Sequence, residues 1–62
     1  MEPNDQLVTL AEAAEITRAP IDTLRYWRKV GRGPQAFKVG RRVVYRRSEV
    51  LRWIDEQQEA AR

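Results

Sequence analysis

Arginine and lysine are the residues with chemistry to offer in this chain, and they are unevenly spread. Ten of the twelve lie between Arg18 and Arg47 beside one acid, Asp22, so that segment carries +9. The remainder holds two arginines against eight acids, a balance of −6, and the net charge of +3 conceals the division. Charge separated in this way makes a surface for a polyanion, with nucleic acid the first candidate. A solvated basic face is the default reading of a charge run. It loses ground here because the same segment carries helix signals and turn punctuation. Other chemistries are poorly supplied. The chain has no histidine and no cysteine, which removes the commonest general base, the commonest metal ligand and the thiolate together. The acids gather at the ends, and there is no glycine-rich phosphate loop. The expectation is a binding protein and not an enzyme, with no metal and no cofactor.

Sixty-two residues make one domain, and a chain this short buries only about 60% of its unfolded surface. With no disulfide to staple it, the aromatic residues Tyr26, Trp27, Phe37, Tyr45 and Trp53 are the remaining stabilisers, and the two tryptophans are expected to carry much of the core. No apolar run approaches the roughly 20 residues needed to span a bilayer. The polar, acidic start does not read as a secretory signal. A cytoplasmic, DNA-associated protein with no membrane partner is expected.

The punctuation predicts the elements. Residues 1–6 read as a disordered end, 7–55 as the domain and 56–62 as a polar, fraying tail. Leu7-Val8 suits a small edge strand or a staple for the helix that follows. Thr9-Leu10-Ala11-Glu12 matches a capping box, opening a first helix over about 10–16 with Leu10, Ala13 and Ala14 on one face. After a short turn, Pro20 suits the first position of a second helix. Ile21, Leu24 and Trp27 form its buried stripe, and Gly31 closes it. Two short helices about such a turn make a helix-turn-helix. Residues 37–39 and 43–45 flank a turn built from Gly40, Arg41 and Arg42, which predicts a hairpin. Ser48 is placed as the N-cap of a third helix, with Val50, Leu51 and Ile54 facing inward and Trp53 beside them. The fold class is small and mainly α with a β-hairpin wing, a winged helix-turn-helix.

On the second helix, a step of about 100° per residue sets Asp22, Tyr26 and Lys29 opposite Leu24, with Thr23 and Arg25 on the borders. That face suits a recognition helix in the major groove of DNA. Arg25 is the first choice for a base contact, because its planar fork matches a phosphate or guanine O6 and N7. Asp22 serves a cytosine N4, a neighbouring arginine or the helix dipole. Arg41 and Arg42 at the hairpin tip suit phosphates or a minor groove, and Lys38 reinforces them. Arg46 suits the DNA backbone or a partner in Glu49. Arg18 and the helix-opening Thr9 are further phosphate anchors.

The run Leu7 to Ala14, then Thr23-Leu24-Arg25-Tyr26-Trp27-Arg28, Gly33-Pro34, Phe37 to Val43, Tyr45-Arg46 and Ser48-Glu49-Val50 closely resembles a short helix-turn-helix family related to the MerR superfamily. That family includes phage excisionases and AlpA-like regulators. The resemblance spans roughly residues 7–54. It implies a MerR-like winged helix-turn-helix, a recognition helix holding Thr23, Arg25, Tyr26 and Arg28, and a wing at Gly40-Arg41-Arg42. MerR-type activators continue into a dimerisation helix and an effector domain, whereas a single module is present here, so no small-molecule ligand is expected. The implied function is that of an excisionase, binding and bending attachment-site DNA, self-associating along the duplex and directing phage integrase toward excision. A small transcriptional regulator of the same fold is the alternative. An RNA-binding, ribosome-associated protein is more distant, since no single-strand stacking platform is visible.

Overall fold

The computed structural model describes residues 6–61. Strand β1 (Leu7–Thr9) leads into helix α1 (Leu10–Thr17) and helix α2 (Ile21–Val30). The hairpin strands β2 (Ala36–Val39) and β3 (Arg42–Arg46) follow, and helix α3 (Arg47–Ala60) closes the chain. The sheet is antiparallel in the order β1-β3-β2. A small helix-turn-helix is thus built onto a three-stranded wing, the winged helix-turn-helix class. Leu7-Val8 is a strand, with Val8 opposite Tyr45.

Thr9 is the joint between sheet and helix. Its Oγ1 accepts from the Glu12 N–H at 3.1 Å while a Glu12 carboxylate oxygen accepts from the Thr9 N–H at 2.8 Å. This is the capping box the sequence announced, and it satisfies two backbone donors that would otherwise lack partners. At the far end of α1, Arg18 adopts the left-handed conformation, φ 61°. Holding a non-glycine residue there costs on the order of 1 kcal/mol, and it folds the chain back within the three residues before α2. Pro20 stands one place earlier than expected, as the N-cap of α2. Its carbonyl accepts from the N–H groups of Thr23 and Leu24, at 3.0 and 3.3 Å. The extended N-cap conformation accommodates a proline as readily as the first helical turn does.

The wing turns on two residues, Gly40 and Arg41, because Arg42 is already in the strand opposite Val39. Gly40 takes φ 62° and Arg41 does not follow it to positive φ, the pattern of a type II′ hairpin turn. Helix α3 is capped by Arg46, with Ser48 inside the first turn. The Arg47 N–H donates to the Gln6 carbonyl at 2.8 Å, which ties residue 6 to the start of α3 where a disordered end was expected. The rest of that expectation lies outside the described residues. The helix then runs on to Ala60, past the expected start of an irregular tail at 56. A polar composition kept those residues exposed without making them irregular.

Val8, Ala13, Leu24, Tyr45 and Val50 form the buried cluster, and Tyr45, Leu24 and Val50 are its largest fully buried side chains. The tryptophans do not fill that position. Trp27 and Trp53 are half-buried and pair with ring centroids 5.1 Å apart, tilted by 48°, with Trp27 packed against the edge of the cluster. Gly33, at φ 76°, lies on this pair, where an added Cβ would sit 2.9 Å from Trp27 Cε3. The loop leaving α2 therefore rests directly on the indole. Two further side chains expected inside are outside: Ile21 is 36% and Leu51 38% exposed.

Candidate nucleic-acid interface

An open groove runs where the start of α1, one flank of α2 and the hairpin meet. Thr9, Ile21, Arg25, Arg28, Lys29 and Arg42 line it, together with apolar positions of α1 and β3. Helical spacing explains the set, because positions 21, 25, 28 and 29 recur at intervals of four, three and one and so share one flank. Three of those four are cations, and all four are exposed. No carboxylate is among the described residues lining the groove. At its border the Glu12 carboxylate is held by the Thr9 N–H, and Asp22 holds Arg25 at 3.6 Å in a solvent-exposed pair. Such a pair is weak, so Arg25 can exchange it for a phosphate or a base edge.

Tyr45 of the wing strand lies near enough to this flank to feel its charge. Its side chain is buried, which raises the hydroxyl above the ordinary pKa of 10.0, and the nearby Arg28 cation acts in the opposite direction. The charge of Arg28 on α2 thus reaches the buried hydroxyl of β3. Lys38, opposite Val43, and Arg41 at the turn are exposed on the same hairpin.

Not every candidate from the sequence reaches the groove. Thr23 is half-buried and Tyr26 is 56% exposed, but neither lines it. Arg18 borders a separate cleft at the α1–α2 turn, with Glu15 and Pro20. Arg46 is half-buried at the far end of β3 from the wing turn, 5.7 Å over the Phe37 ring, and borders a separate recess with Glu49. Thr9 is at the groove, but its oxygen and its N–H are both committed to the cap, which leaves its hydroxyl proton for a phosphate. Sequence reasoning missed Ile21 as a groove residue. The clue was its place four residues before Arg25, set aside because Ile21, Leu24 and Trp27 also recur every three.

The order of elements, the three-residue turn and the cationic flank of the second helix together describe a DNA reader, and comparison with known families agrees. The model of the helix-turn-helix domain family matches residues 7–58. The chain belongs to this family. It is accordingly a sequence-specific DNA-binding helix-turn-helix protein. No curated protein and no solved structure matches the chain. Among the described residues no helix is long and apolar enough to cross a membrane.

A helix-turn-helix reader of this shape should separate its arginines by role. Arg25→Ala is expected to weaken cognate binding by roughly 1–3 kcal/mol more than binding to random duplex. Arg41→Ala or Arg42→Ala should lower affinity for all duplexes alike. Fluorescence anisotropy on selected and random duplexes measures both, and an equal loss for Arg25→Ala would make it a phosphate anchor.

Proposed function

We propose that this helix-turn-helix protein is an excisionase. In this reading it binds attachment-site DNA in several adjacent copies, bends it, and directs a phage integrase toward excision in the bacterial cytoplasm. It does so by binding alone, with no catalysis, cofactor or small-molecule effector. The observation that carries the reading is the distribution of charge on one small module. Its groove and wing are basic, while the exposed end of α3 presents Asp55, Glu56 and Glu59. A single module of this kind covers only about 600–1,000 Å² of protein surface on DNA, so occupying neighbouring sites is the economical route to useful affinity. An acidic α3 end set against the next basic wing gives a head-to-tail contact that need not close on itself. The resemblance to excisionases supports the same reading.

The test uses attachment-site DNA carrying one, two or three sites. Free protein should sediment as a monomer, the multiple sites should fill nearly together, and circular-permutation gels should show bent DNA whose excision by purified integrase is stimulated. A stable solution dimer on a single palindrome, without effect on integrase, would instead establish a small transcriptional regulator of the same fold.

A further inference from the structure

Ile21 is a large, β-branched apolar side chain in the first turn of α2, and it is 36% exposed. It is absent from the apolar residues packed against the core, which on this helix are Leu24 and Trp27. It lies instead on the groove, on the flank of Arg25, Arg28 and Lys29 and across from Arg42 of the wing. Cations at these positions are what phosphates and guanines require, whereas an isoleucine among them has nothing to offer a charged group. A major groove holds one apolar feature on its floor, the C5-methyl of thymine, and apolar side chains read it by contact. The first turn of a recognition helix is also the part that approaches base edges most closely.

We infer that Ile21 is a specificity-determining residue that reads the 5-methyl group of a thymine, at a base step adjacent to the one met by Arg25. The inference rests on the DNA-binding reading of the groove but is independent of the excisionase role. Arg25 supplies the polar half of the readout and Ile21 the apolar half. The flanking cations fix the helix in register on the phosphates.

The probe is a duplex selected by the wild-type protein from a random-sequence pool, resynthesised with deoxyuridine replacing each thymine in turn. Deoxyuridine keeps the pairing edge and removes only the methyl. At one or two positions the replacement should weaken wild-type binding about threefold to fourfold, the worth of one buried methyl-sized group. Ile21→Ala should bind the thymine and deoxyuridine duplexes equally, with the circular dichroism spectrum of the wild-type fold. Ile21→Val should retain part of the discrimination. The inference is overturned if no thymine is sensitive to replacement, if Ile21→Ala keeps the sensitivity, or if selection yields no preferred sequence although random duplex is bound. Failure to bind any duplex would overturn the DNA-binding reading itself and would be seen before the methyl is examined.

Discussion

Affinity for duplex DNA should fall about a thousandfold when salt is raised from about 50 to about 200 mM. The expectation comes from counting cations at the groove and wing. Arg25, Arg28, Lys29 and Arg42 line the groove, while Lys38 and Arg41 are exposed on the hairpin beside it. On the order of six phosphates neutralised by them gives a log–log slope of about −5, because each contact releases condensed counterions from the duplex. No carboxylate among the described lining residues offsets these charges, and the Asp22–Arg25 pair is too exposed to withhold its arginine. Removing one wing arginine should flatten the slope by about one. Titrations at four or five salt concentrations supply the measurement. A nearly flat affinity would mean that the basic flank does not face the phosphates.

The features legible in the sequence were those with a local cause. The Thr9–Glu12 box needs only four residues to define it, so its position was readable before any tertiary contact. The same holds for the glycine turn of the wing and the Gly31 stop of α2. The sequence points to a cap of α3 two residues too far on, since Ser48 has the better capping side chain while the strand geometry of Arg46 sets the boundary. Arg18 gave no warning either. An arginine at φ 61° is the result of closing the turn, not a preference of the residue.

The flank of α2 that faces the groove was harder to read, because two helical periods compete there. Ile21, Leu24 and Trp27 step by three, which drifts about 60° per step around a helix of 3.6 residues per turn. Leu24 alone meets the core squarely. Trp27 is carried to one side, where Trp53 and the Gly33 loop meet it, and Ile21 is carried to the other, into the groove. Which side became which depended on where the hairpin docked, and that contact is made by residues some twenty positions distant. The outward face therefore divided: Arg25 and Lys29 went to the groove, while Thr23 and Tyr26 lie away from it.

That division bears on which aromatic residue the domain needs most. Tyr45→Ala is expected to unfold the protein, whereas Trp27→Ala should leave it folded but weakened. Tyr45 is fully buried one residue before the end of β3, opposite Val8 on one neighbour strand and Ala36 on the other. Truncating a buried aromatic of that size costs about 3–5 kcal/mol, most of what a domain with roughly 0.05–0.15 kcal/mol per residue can lose. Trp27 is only half-buried, and its removal takes away the tilted contact with Trp53 and the seat of Gly33 while leaving the buried cluster intact. Urea unfolding followed by circular dichroism ranks the two variants, and a Tyr45→Ala protein more stable than Trp27→Ala would mean that the sheet does not pack on the helices as described. Tyr45→Phe isolates the hydroxyl. Burial raises its pKa above 10.0 in the folded state, so the unfolded chain gives up this proton first. Its contribution to stability is then complete below about pH 10 and is lost as the pH climbs through the folded value. The phenylalanine variant should therefore keep the fold and show a flatter decline in stability on the alkaline side.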